Sequence, residues 1–260
     1  GFTTGSQAAT NYSGRTFVAW NWKAGTSFTN DASATGVGSI DSTGSVNTDA
    51  GFSIISYTGT GSTGTVAHGL GAVPKMMIIK GRSFSDAWIV YHKNIGATKD
   101  LRLNLTNAAS TNSGPFNNTE PTSSLFTVGS GTATNNGSAT FIAYCFAEKK
   151  GYSKFGSYTG NGSTDGTFVY TGFKPAFVIY KRYDSGTYSW VLVDNKRNTF
   201  NAVDKYVHPD LSAAEGTVTL MDFLSNGFKM RVNDTTSNQG SIIYMAFAEN
   251  PFVTSTGVPA

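Results

Sequence analysis

The sequence is poor in the residues that carry most chemistry: it has one cysteine, three histidines and 13% charged residues in a chain of 260. An ordinary soluble domain carries about 25% charged residues. One cysteine excludes a disulfide framework within the chain. The place of Cys145 in the apolar run Phe141 to Phe146 marks it as a small buried thiol. His68, His92 and His208 stand far apart, without the spacing of a zinc site. The net charge of +3 is spread thinly. With no dense Lys/Arg stripe to follow phosphates, nucleic acid is excluded as a partner. No apolar run reaches the ~18 residues of a membrane-spanning helix, and no signal-peptide pattern stands among these residues, so membrane insertion is not expected. Nothing calls for a cofactor.

What is present is glycine, serine, threonine and asparagine, together with 13% aromatic residues. A disordered chain lacks those aromatics and carries more charge. Small polar turn formers between aromatic and β-branched runs describe short strands joined by many turns, hence an all-β protein.

The strongest signal is an internal repeat. Tyr57-Thr58-Gly59-Thr60-Gly61-Ser62-Thr63 recurs as Tyr158-Thr159-Gly160-Asn161-Gly162-Ser163-Thr164. Pro74 to Lys80 matches Pro175 to Lys181, and Trp88-Ile89-Val90 matches Trp190-Val191-Leu192. Asn107-Ala108-Ala109 parallels Ser212-Ala213-Ala214, and both copies close alike, at Phe141 to Glu148 and Ile242 to Glu249. A partial third copy opens the chain, where Phe17 to Trp22 resembles Phe141 to Phe146. The chain is thus read as residues 1–50, a partial upstream repeat plus linker, then repeats over 51–150 and 151–260. Gly25 to Asp49, rich in Ser, Thr, Gly and Asn, is expected to be a linker or a long surface excursion. The partial copy fits either a piece of a longer polypeptide or a strand pair that completes the first repeat.

Within a repeat, Phe52 to Tyr57, Thr65 onward, Met76 to Lys80 and Trp88 to Tyr91 read as strands, and Met76 to Lys80 is apolar enough to be buried on both faces. The closing strand fixes a register. Val18, Ile142 and Ile243 correspond, then Trp20, Tyr144 and Met245, then Trp22, Phe146 and Phe247. These large groups share one face, while Ala143 and Cys145 share the other with Ala246. A large face on a core and a small face under close cover predict tandem antiparallel β-sandwiches. Helix is expected nowhere, except one turn within Asp210 to Glu215.

Candidate chemistry is thin. Gly59-Thr60-Gly61-Ser62-Thr63-Gly64 has dinucleotide-loop spacing, but no helix follows and the second copy carries an extra residue. No nucleophile elbow exists, and no Ser, His and Asp set repeats. The recurring acids Glu148 and Glu249 occur singly in each unit, where a glycosidase needs two facing carboxyls; they read as caps or ion-pair partners. Trp88 and Trp190 recur at equal places, each before a short strand with a polar tip. Trp88 with His92, and Trp190 with Asp194 and Asn195, are the candidate glycan or receptor contacts, with a core role for both tryptophans as the alternative.

Five segments, Gly51 to Gly59, Ile142 to Glu148, Gly151 to Gly160, Phe168 to Phe173 and Phe223 to Phe228, with the close Tyr244 to Glu249, resemble a repeat family of marine bacteriophage virion proteins, tail-fibre-like and of unknown function. The resemblance covers nearly the whole chain and brings no catalytic residues. It implies a concanavalin- or jelly-roll-like sandwich, a location on the tail or capsid surface of a virion, and partners among virion proteins and other copies of this chain, a homotrimer for a fibre. It also implies contact with a host surface glycan or receptor. The function expected is a non-enzymatic structural protein, a tail-fibre or receptor-contact component. Capsid decoration and a fibre-borne glycan-binding or glycan-cleaving module are the alternatives.

Overall fold

Alternating aromatic and β-branched runs fold into antiparallel sheets. In the computed structural model, which describes residues 1–250, the chain is 42% strand and 5% helix. The last ten residues of the unit read as 151–260 lie outside the described residues.

In the first repeat Phe52–Thr58, Thr140–Phe146, Met76–Gly81 and Ile89–His92 lie side by side in that order. In the second, Ser153–Asn161, Gln239–Ala248, Pro175–Arg182 and Val191–Asp194 repeat the order strand for strand. The sequence repeat is therefore a repeat of topology. Each four-strand core is covered on one face. In the first repeat the cover is the pair Gly64–Ala67 and Leu125–Val128. In the second, Phe168–Tyr170 and Gly227–Met230 are extended by Gly216–Leu224 and Val203–Tyr206 into a four-stranded sheet.

Three cores result, because strand alternation sends neighbouring side chains to opposite faces. Ile55, Tyr57, Phe141, Ala143 and Cys145 pack under Val66 and Phe126 inside the first repeat. Tyr158, Val178, Tyr180 and Ala246 pack under Val169 and Phe228 inside the second. The third core lies between the repeats, where Phe52, Met76, Val90 and Phe146 meet Phe155, Phe177, Ile179, Met245 and Phe247. The small face of each closing strand thus looks into its own sandwich, and the large face looks toward the other repeat. Equivalent positions touch across this seam: the rings of Phe146 and Phe247 lie 6.2 Å apart. The interface is self-complementary, as in a two-fold dimer.

Three expectations are corrected. Gly25 to Asp49 is not a linker. Thr26–Asn30 and Ser42–Asn47 are strands on the edge of the first sheet, with Ser42 to Asn47 paired to Tyr57 through Phe52. Phe28 and Val46 drive this by packing on the first core, a signal diluted among small polar neighbours. Phe17 to Trp22 forms no strand; it crosses the seam as extended chain and inserts Trp20 and Trp22 into the third core. Trp22 stands 6.2 Å from Phe146 and 5.3 Å from Phe247, so the three residues aligned by the repeat converge on one cluster although only two sit on strands. Asp210 to Glu215 contains no helix; the short helices are Ala8–Asn11, Ala32–Thr35 and Thr132–Asn135.

Candidate functional site

The glycine-rich turns are folded around buried asparagines. Asn135 accepts from the Thr60 amide and donates to the carbonyls of Ser62 and Gly129, while Gly61 N–H donates to the Asn135 carbonyl at 2.9 Å. Asn238 repeats this on the second copy. It accepts from the Asn161 amide and donates to the Ser163 carbonyl, and Gly162 N–H donates to its carbonyl at 2.7 Å. Both asparagines are fully buried. Gly61 and Gly162 have φ of 76° and 65°, a left-handed conformation that glycine adopts without strain. Amides turned inward onto an asparagine are not free to cradle a phosphate, so the motif is a structural clamp.

The aromatic and polar candidates separate. Trp190 is 1% exposed, and its indole N–H donates to the Arg102 carbonyl of the other repeat at 2.9 Å. His92 is equally buried: Nδ1 accepts from the Asn94 amide and Nε2 faces the Tyr244 carbonyl at 3.2 Å. Burial pushes His92 down to about 4, leaving it neutral at ordinary pH. Asp194 occupies the equivalent strand end and accepts from the Lys196 amide, so imidazole and carboxylate do the same turn-capping work. It is also held by Arg197 Nε at 2.8 Å. Asn195, largely buried, donates to Glu249 at 2.8 Å. Trp190, His92, Asp194 and Asn195 are thus internal supports and cannot meet a ligand without unfolding their surroundings; as a receptor-contact set they are corrected. The recurring glutamates also work internally. Glu148 pairs with Lys154 at 2.8 Å and Glu249 with Lys174 at 2.7 Å.

Trp88 alone among the five is partly exposed. It lines a groove of about 330 Å³ with Trp20, Trp22, Ile78, Tyr144 and Met245 where the N-terminal segment crosses the seam. Asn21 supplies the one side-chain amide among its lining residues. Such a surface can stack against a flat apolar face, of a sugar ring or of a partner side chain. The sequence pointed to Trp88 but not to its neighbours. Trp20 and Trp22 looked like strand residues of a lost repeat, and only the closing-strand alignment with Tyr144 and Met245 placed them together. Among the described residues no group of three or more His, Cys, Asp or Glu could hold a metal ion. None of their helices is long and apolar enough to cross a membrane.

Fold and groove define an all-β tandem-repeat protein with a shared aromatic seam. Residues 1–251 match a family described as a domain of unknown function, DUF7483, and the chain belongs to it. No curated protein and no solved structure matches.

Proposed function

We propose that this chain is a non-enzymatic structural protein of a bacteriophage particle, a tail-fibre or receptor-contact component. The observation that carries the structural part is the use of the recurring polar side chains. Asn135 and Asn238 clamp turns, and Glu148 and Glu249 hold lysines. His92 and Asp194 cap strand ends, while Lys80 and Lys181 each donate to the carbonyl two residues before a repeat tryptophan, Asp86 and Tyr188. What the two copies share builds the fold; the second adds the strands Gly216–Leu224 and Val203–Tyr206 to its cover. The particle setting rests on the resemblance of the repeat segments to virion proteins of marine bacteriophages. Phe200 and Tyr170, 84% and 64% exposed, and the seam groove offer contact surface. Many copies on one particle would multiply a weak contact.

Antibody labelling of intact particles, viewed by electron microscopy, tests the proposal. Label on the tail or its fibres is expected. Label over the head would replace host contact by capsid decoration, and particles without label would overturn the virion role.

A further inference from the structure

We propose that the end of the molecule where both repeats close is a binding surface for an acidic polysaccharide, a chain of sugar rings bearing carboxylate or sulfate groups. The inference goes beyond the particle reading and holds wherever the chain is located.

Lysines scattered along the sequence are gathered at this end by the fold. In the first sheet Met76 lies between Phe146 and His92, so Lys75 and Lys93 emerge side by side, and the Lys93 amide donates to the Lys75 carbonyl at 2.9 Å. The connection that follows Phe146 carries Glu148, Lys149 and Lys150 to the start of the second repeat, where Lys154 meets Glu148 at 2.8 Å. The second sheet ends at the same place. The Ala248 amide donates to the Tyr152 carbonyl and the Glu249 amide to the Lys174 carbonyl, both at 2.8 Å. Lys174 pairs with Glu249, and the charge of Lys196 reaches the same carboxylate.

Seven lysines thus face two glutamates; Asp194, at the same end, is matched by Arg197. The excess of five positive charges is larger than the chain's whole net charge of +3, so the rest of the protein is net negative. Among the described residues the ammonium groups of Lys75, Lys149, Lys150 and Lys196 have no acceptor, and that of Lys93 stands 3.9 Å from Glu148. Lys93, Lys150 and Lys196 are exposed. Burial lowers the pKa of Lys93, Glu148 opposes this, and Lys75 and Lys154 add to the lowering, so these lysines share one field. A field of one sign draws a polymer of the other, and salt weakens the attraction.

Two clefts give this charge a shape. One, of about 320 Å³, is lined by Glu148, Lys150, Lys154, Tyr170 and Gly172, and Tyr170 is 64% exposed. The other, of about 170 Å³, holds Lys174 and Asn195 beside Phe200, which is 84% exposed. An accessible aromatic ring can stack on the apolar face of a sugar while neighbouring ammonium groups take its carboxylate or sulfate.

The glutamates separate this ligand from nucleic acid. Duplex DNA carries one charge per ~1.7 Å of axis and no hydroxyls along its backbone, so it would meet Glu148 and Glu249 as repulsion. An acidic polysaccharide places hydroxyls between its charges, and hydroxyls donate to carboxylates. The surface also lacks a free arginine to grip a phosphate through two bonds, since Arg197 is held by Asp194.

The test is fluorescence anisotropy at low salt, with the full chain and end-labelled oligosaccharides of alginate for carboxylate and heparin for sulfate. Dextran is the neutral control and a short DNA duplex the competing polyanion. Binding to alginate, heparin or both is expected, with none to dextran and with DNA weaker by about tenfold or more. Lys93→Gln combined with Lys150→Gln alters two exposed side chains; it should weaken binding by roughly tenfold and flatten its salt dependence. Tyr170→Ala, also exposed, should weaken binding a few-fold and leave the salt dependence unchanged. Arg82→Gln, just past the opposite end of the strand Met76–Gly81, should have little effect. Binding to neither acidic polymer, dextran bound as well, DNA bound within about tenfold of the better polysaccharide, or a loss in the lysine variant no greater than in Arg82→Gln would each overturn the proposal.

Discussion

Residues 151–250 expressed alone should fail to form a cooperative domain, although they contain a complete repeat. Cutting at the junction leaves the second repeat's own core intact but strips the cover from Phe155, Phe177, Ile179, Leu192, Ile243, Met245 and Phe247. Full burial of such a side chain stabilises by ~1.5–3 kcal/mol, so exposing the set costs roughly 10–20 kcal/mol. The net stability of a whole domain is only ~5–15 kcal/mol. The loss is as large as the whole of it or larger. The cut also orphans the Trp190 indole and Lys181 from their acceptors on Arg102 and Thr106. Urea unfolding followed by the fluorescence of Trp190, the fragment's only tryptophan, should show a broad, non-cooperative change together with binding of a hydrophobic dye. The full chain should unfold in one transition by every probe. A fragment with a sharp transition and no dye binding would refute a seam that belongs to the folding unit.

At about 1 kcal/mol per lost clamp bond, Asn135→Ala should lower stability by about 3 kcal/mol and Asn238→Ala by about 4 kcal/mol, read as shifts of the urea midpoint. Lys181 donates to three carbonyls at zero exposure, and burial depresses it from 10.5 to about 8, with Asp210 opposing the shift and Arg182 adding to it. Between those values the unfolded chain holds the proton that the folded chain has released, so stability should rise with pH, by up to about 3 kcal/mol. Cys145 and the buried tyrosines, whose protons folding holds more tightly, lower stability as pH rises in parent and variant alike, so the effect of Lys181 is read as a difference: between pH 8 and 9.5 the urea midpoint of the parent should move upward relative to that of Lys181→Met. Cys145 is fully buried and its thiol is pushed up to about 12, so a thiol reagent should label it only as fast as the chain unfolds; rapid labelling of the native protein would contradict its place in the first core.

Much of the fold was legible because the repeat supplied two readings of each strand. Phe52 to Tyr57 and Met76 to Lys80 are strands to within a residue, and the two-residue spacing of Tyr144 and Phe146 separated the faces correctly. The partner of the large face was not legible. Alternation states that a face is buried, and says nothing of whether its cover comes from within the repeat or from the next one. Ser42 to Asn47 escaped because a Ser, Thr and Gly composition reads as loop, and only pairing with Phe52 to Tyr57 makes it a strand. The site was less legible still. A buried tryptophan and an exposed one carry the same letter at the same repeat position, so Trp88 and Trp190 could not be told apart. Asp100 carried no motif at all; its burial beside Ser110 and Arg102 is visible only once the fold brings them together.

The meeting of Phe146 with Phe247 has a consequence for how the two copies can change. In a true dimer every substitution at such a contact is made twice, on both sides of the axis at once, and the association must also overcome the entropy of bringing two molecules together. Here the short connection from Phe146 to Ser153 holds the halves at high effective concentration whatever the protein concentration. Each half is then free to vary alone. Trp22 can wedge between Phe146 of one half and Phe247 of the other, and the Ala108 amide can bond the Gly186 carbonyl, where no mirror-image contact is required.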